Sequence, residues 1–294
     1  MTAKHRTTFS AICATIATAV LVALFCRRAR VETSPPYRTV TELNRHHPIS
    51  IIYVDEASQK ALGKFPIDRR YYADLITRLA PAKPRCVVLK FFFTDPRPGD
   101  AELIRVLQSV TNALTQFGGV TRDEGYSVSQ LAPWSRGSNT FSFPDFPHAR
   151  PPTPELAKVF SSAGTVNLSG TNAFCLVTSI RGMLYPSLPL AVLERELAAT
   201  AVFHRDHVTV GKVRVPLRPD GTFTFDLSEP GKLYPAYSFV DVLTGRVPAT
   251  TFSDQIVLVF ARTPDAPRFQ LGYPQAHDPA ELVADTINTV LKRF

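Results

Sequence analysis

The sequence predicts an α/β body with a mainly parallel sheet, flanking helices and a small antiparallel meander, preceded by one N-terminal transmembrane helix. Three observations carry this expectation. Two nearly unbroken apolar runs, "SIIYV" at 50–54 and "CVVLKFFF" at 86–93, are each followed by apolar positions at helical spacing, as in parallel strands joined by crossover helices. Residues 207–217, "HVTVGKVRVPL", alternate apolar and polar positions around Gly211 and Lys212, as a hairpin does. Residues 7–26, "TTFSAICATIATAVLVALFC", carry no charge and are long enough to cross about 30 Å of hydrocarbon as a helix.

That apolar segment opens at Thr7, after Lys4 and Arg6, and closes at Cys26, before Arg27, Arg28 and Arg30. Basic residues on both sides leave its orientation open. The exit "LFCRRARV" lacks the small residues of a cleavage site, and the bulky Phe25 before Cys26 argues against a lipoprotein, so an uncleaved anchor is expected. Residues 1–30 thus read as the anchor with its flanks, 31–48 as a polar, proline-marked stalk, and 49–294 as the body. His46 and His47 read as solvated stalk side chains rather than a metal pair.

Within the body, Ser58 is read as capping a brief turn that Gly63 ends. Asp68 is read as capping a helix with apolar positions Tyr72, Leu75, Ile76 and Leu79, stopped by Pro81. After the second strand, residues 100–114 supply another helix with the stripe Leu103, Val106, Leu107, Val110 and Leu114. Residues 120–154 are rich in proline and serine and too long for an ordinary connection. Residues 155–164 read as a helix, 165–168 as a strand, and 185–199 as a longer helix with Pro189 in its first turn. The meander follows, then "RPDG" as a turn, "TFTFDL", the short helix "SFVDVLTG" and the buried strand "QIVLVFA". Asp278 and Pro279 start a closing helix along Leu282, Thr286, Val290 and Leu291.

At 294 residues, 45% hydrophobic and 20% charged, the chain has the balance of a globular protein with a real core. Its net charge of +8 reads as a solubilising surface rather than a nucleic-acid footprint, because the basic residues outside the flanks are scattered. Cys86 and Cys175 lie outside any C-x-x-C spacing, which leaves zinc unsupported. Cys86 reads as core, with a bridge to Cys175 the alternative in an oxidising compartment.

The ordered set "IIYVD", "LGKFP", "DRRYYADLITRL" and "VVLKFFFTDPRPGD" resembles the opening of the CHASE-type sensor domain, second class. "SSAGTVNL", "LYPSLPLAVLERE", "VTVGKVRVPLRPDGTFTFDL", "YSFVDVLTGRVP" and "FSDQIVLVFA" continue the likeness over roughly residues 35–292. Such domains lie outside the membrane in bacterial histidine kinases, cyclases, diguanylate cyclases and serine/threonine kinases. Three departures stand out: Lys90 replaces a usual aspartate, Phe260 replaces the glycine after the last strand, and "SGTNAFCLVTSIRGML" replaces an acid-glycine-arginine turn. Related receptors continue into an output domain, whereas nothing follows Phe294 here. The resemblance therefore implies a sensory or ligand-binding domain on the outer face of a bacterial inner membrane, without its own output and acting through a partner protein.

Ligands of open parallel sheets bind beyond the carboxyl ends of the strands, which makes Asp55 and Asp95 site candidates. Lys90, inside an apolar run, needs a carboxylate or loses its proton, so an Asp55–Lys90 ion pair is one expectation. The other has Asp55 capping the turn at Glu56 and Lys90 extending its head to water. Arg69 and Arg70, at a helix start, could add positive charge to the same crevice.

No nucleophile elbow, P-loop, G-x-G-x-x-G after a strand or H-E-x-x-H is present, so catalysis, metal and cofactor are not expected. His204 and His207 lack a third ligand nearby. Trp134, Phe141, Phe143 and Phe146 in the long loop form either a partner-contact surface or pins holding the loop to its own domain. Against the sensor reading stand an adaptor of the cell envelope and a secreted hydrolase with a site assembled in space. The ligand is an unknown small molecule or an envelope protein.

Overall fold

The computed structural model describes residues 38–40 and 48–292, apart from 142, 167, 170–172, 219–220, 265–267 and 270–274. The apolar segment at 7–26 and the histidines at 46 and 47 lie outside the described residues. Among those described, no helix is long and apolar enough to cross a membrane.

In chain order the main elements are β1 (Ile49–Val54), α1 (Glu56–Leu62), α2 (Arg70–Leu79), β2 (Cys86–Leu89), α3 (Asp100–Leu107), β3 (Ala113–Val120), β4 (His148–Arg150), β5 (Ser162–Thr165), α4 (Leu188–Glu196), β6 (Ala236–Ser238), α5 (Phe239–Thr244), β7 (Ile256–Ala261) and α6 (Pro279–Leu291). The central sheet runs β6–β1–β7–β2–β3, all parallel. The far edge of β3 pairs with β5 in parallel and with β4 antiparallel. The closing strand β7 is thus inserted between β1 and β2.

The pleat sends alternate residues to opposite faces, and each face has its own core. Ile51, Tyr53, Val88, Leu258 and Phe260 pack with α4 and α6. Ile52, Val54, Leu89, Val257 and Val259 pack with α2, α3 and α5. Both faces covered by helices explain why these strands read as continuous apolar runs. Each fully buried Leu or Ile contributes about 1.5–3 kcal/mol relative to exposure.

Local signals place several ends as expected. The Ser187 hydroxyl accepts the Leu190 N–H at the start of α4. The Asp278 carboxylate and the Glu281 side chain form a reciprocal capping box on α6, with Pro279 in the first turn. Asp68 accepts the Arg70 N–H at 2.9 Å. The antiparallel meander forms from Ala201–Phe203, His207–Val210 and Val213–Pro216.

Other expectations are corrected. Asp55, not Ser58, caps α1, accepting the Ser58 N–H at 2.9 Å. The run at 86–93 is a strand only to Leu89. The Phe91 N–H returns to the Leu89 carbonyl at 2.9 Å, so the chain turns sharply at Lys90. Residues 113 and 114 are not the end of a helix but the start of a strand that runs to Val120, since α3 stops at Leu107. Gly119 belongs there because an added Cβ would lie 2.6 Å from the Phe146 ring. In 155–164 only Pro154–Ala157 is helical, and Ser162–Thr165 joins the sheet; Gly164 lets that strand approach the backbone of Leu188, 2.4 Å from an added Cβ. Within the expected stalk, Arg38–Val40 is a strand paired in parallel with Asp226–Ser228. Cys86 keeps a free, buried thiol, so no Cys86–Cys175 bridge forms.

Candidate ligand-binding site

Each central strand ends at the same edge, and a row of side chains on the α4/α6 face crosses that edge. Tyr53 of β1 stands opposite Phe260 of β7. Val259 pairs with Leu89, and Leu89 with Thr115, and the residues that follow them are Phe260, Lys90, where the chain turns, and Gln116. One pleat back the corresponding row is Ile51, Leu258, Val88 and Leu114, all buried and apolar. The sheet therefore turns polar at its carboxyl edge, where open parallel sheets bind ligands.

A crevice of about 730 Å³ opens there, lined by Lys90, Gln116, Thr94 and Phe260 with aromatic walls that include Phe91 and Phe92. Its volume falls in the range of small-molecule sites, roughly 300–1,000 Å³. The Gln116 amide oxygen and the Thr94 hydroxyl are buried without a hydrogen-bond partner among the described residues. Such groups are costly to leave unmet, about 1–3 kcal/mol each. The Lys90 ammonium lies 5.1 Å from the centre of the Phe260 ring. It has no ion pair among the described residues. Burial pushes its pKa below the ordinary 10.5, opposed by the negative charge of Asp278. Asp278 itself is engaged by Arg262 Nε at 3.3 Å and by the Ala280 N–H at 3.0 Å.

The expected Asp55–Lys90 pair is not formed. With β7 between β1 and β2, the two are separated by two strand spacings, about 10 Å. Asp55 instead accepts from the Ser58 hydroxyl at 2.7 Å and the Ser238 hydroxyl at 2.9 Å, tying α1 to the strand β6. Burial would raise its pKa, but these hydrogen bonds and the Ser58 N–H hold it below the ordinary 3.8. Asp55 does not line the crevice.

The other candidates divide. Asp95 lines the crevice and accepts the Tyr126 hydroxyl at 2.9 Å. Arg69 is 2% exposed and committed: Nη1 to Asp100 at 2.5 Å, Nη2 to the Asp95 carbonyl at 2.6 Å, and its guanidinium over Phe93. It bolts the loop after β2 to α2 rather than offering charge to a ligand. Arg70 points away, exposed beside Asp68 and over the Tyr71 ring, outside the crevice. Sequence reasoning missed Gln116 and Arg150, because their strands were unread, and Thr94, Arg97 and Tyr126, which come from loops.

The aromatics of the long loop turn inward, in keeping with the second of the two expectations, pins that hold the loop to its own domain. Trp134 is 5% exposed and stacks on Phe117, with centroids 5.8 Å apart. Phe143 is buried, and the partly buried Phe141 leans on it at 5.8 Å. Phe146 covers Gly119.

A second large cleft, about 710 Å³, is lined by charges that satisfy one another: Arg136 grips Glu194 through two hydrogen bonds, and Arg85 bridges Glu196 and Asp254. His204 and His207 stack with centroids 4.1 Å apart, and His207 Nδ1 faces Asp206. Among the described residues no group of three or more His, Cys, Asp or Glu side chains could hold a metal ion.

The family model of the CHASE2 domain matches residues 16–292. That family is one of extracellular sensory domains. No curated protein and no solved structure matches the chain.

Proposed function

Because the chain belongs to the CHASE2 domain family, we propose that its body is an extracytoplasmic sensor that takes up a small ligand in the crevice at the carboxyl edge of the sheet. The observation that carries the reading is the coincidence of a cavity with the buried oxygens of Gln116 and Thr94, which have no partner among the described residues. A ligand that met them would relieve a desolvation cost the folded protein otherwise bears. Recognition rather than turnover is the proposed work. The reading extends to an anchor in residues 7–26 within a bacterial inner membrane, and to a partner membrane protein that reports occupancy.

A thermal-shift screen of the full chain against small bacterial metabolites tests the ligand site. A ligand at one hundred times its Kd stabilises the folded state by about 2.7 kcal/mol, and Thr94→Trp, which fills the crevice, should remove the shift. Hits that survive Thr94→Trp would place the site elsewhere. A reporter fused after Phe294 tests the topology; activity of a cytoplasmic reporter would overturn the extracytoplasmic assignment.

A further inference from the structure

The lining of the crevice points to a ligand class, given that the crevice is the ligand site. Its charge is lopsided: four basic side chains, Arg69, Lys90, Arg97 and Arg150, face two acidic ones, Asp95 and Glu124. Two of the basic groups are spoken for. Arg150 forms a two-pronged pair with Glu124, and Arg69 is held by Asp100. Lys90 and Arg97 have no ion pair among the described residues. An incoming cation would meet the Lys90 ammonium at close range in a poorly solvated place, where like charges repel strongly. An anion there gains a charge-assisted hydrogen bond.

The walls argue for an apolar body. Phe65, Tyr72, Phe91, Phe92, Phe93 and Phe260 line the crevice. Phe92 is 41% exposed and is held by the Arg150 guanidinium, 5.3 Å from its ring centre. An aromatic ring matches the walls by stacking or edge contact.

We propose that the crevice selects a small organic anion with an aromatic body, its carboxylate meeting the Lys90 ammonium and a hydrogen-bond donor on the same molecule meeting the Gln116 amide oxygen. Lys90 then sets the sign of charge accepted, and Gln116 sets a preference for a hydroxylated ligand. Both groups line the same crevice.

The test compares three probes on the full chain by calorimetry: 4-hydroxyphenylacetate, phenylacetate, and tyramine, which keeps the phenol but reverses the charge. The expected result is 4-hydroxyphenylacetate binding at least tenfold tighter than tyramine. Lys90→Met should erase that difference while retaining a cooperative melt. Gln116→Leu should leave the charge preference intact and abolish the advantage of 4-hydroxyphenylacetate over phenylacetate. Tyramine binding as tightly as the acid, or an acid preference that survives Lys90→Met, would overturn the proposal. If tyramine binds and Thr94→Trp abolishes it, the anion assignment falls while the crevice remains the ligand site. If no probe binds at millimolar concentration the anion assignment also falls, and the crevice reading falls with it only when metabolite hits survive Thr94→Trp.

Discussion

The Lys90 ammonium lies over the Phe260 ring, 5.1 Å from its centre. A cation over an aromatic face gains roughly 0.5–2 kcal/mol, which offsets part of the cost of holding Lys90 where burial opposes its charge.

That remaining cost has a measurable sign. In the folded protein Lys90 binds its proton less tightly than in the unfolded chain, where the ordinary value is 10.5. The unfolded state therefore holds more protons between the lowered folded pKa and 10.5, and stability rises with pH across that window. Lys90→Met should flatten this rise and raise the melting temperature most at pH values below the window. Melts from pH 6 to pH 10 check it, and an unchanged pH profile would refute it.

Asp55 is a structural cap, so its removal should cost stability and leave cation binding unmoved. Asp55→Ala deletes the acceptor for the Ser58 N–H and both serine hydroxyls, an expected loss of about 0.5–2 kcal/mol. Its depressed pKa adds stability present above 3.8 and lost as pH falls through the folded value. Denaturant titration reads the loss. Asp55-dependent calcium or magnesium binding in a calorimeter would contradict the assignment.

Asp285 on α6 titrates in the opposite direction. Burial raises its carboxyl pKa from 3.8 to about 7, against hydrogen bonds from Ser228 and Tyr234. The folded state holds the extra proton between those values, so this group's contribution is full below 3.8 and fades as pH rises through about 7. Asp285→Asn should remove the falling limb between pH 4 and pH 7 and cost about 1–3 kcal/mol from mismatched donors. Chemical melts across that range distinguish it from wild type.

Trp134 pins the long loop. Trp134→Ala removes its stack on Phe117 and should cost about 3–5 kcal/mol. Limited proteolysis should then cut first within residues 120–154. An unaffected melt would show that the loop is not held this way.

Where local chemistry decided the outcome, the sequence was readable. Pro189 in a first turn, Asp278 with Pro279, and the alternation around Gly211 all mark elements that formed as expected. Long-range pairing was not readable in the same way. Nothing near Ile256 announces that β7 will slide between β1 and β2, so neighbours in sequence suggested an Asp55–Lys90 pair that the sheet order forbids. The strand at 113–120 hid for a related reason: Gln116 and the glycines at 118 and 119 look like loop residues until β2, β5 and the Phe146 ring come to lie against them. Gln116 and Lys90 became visible as neighbours of one crevice only once β2 and β3 paired.

The parallel pairing of Arg38–Val40 with Asp226–Ser228 also has a mechanical meaning. Tension on the polypeptide ahead of Arg38 loads those backbone bonds in shear, all together, instead of peeling them one by one. The load passes to Ser228, which Asp285 grips through two hydrogen bonds, and from there into the long axis of the final helix. A tug at one end of the molecule is thereby directed to the same helix that Asp278 caps, the acid whose field is felt at Lys90.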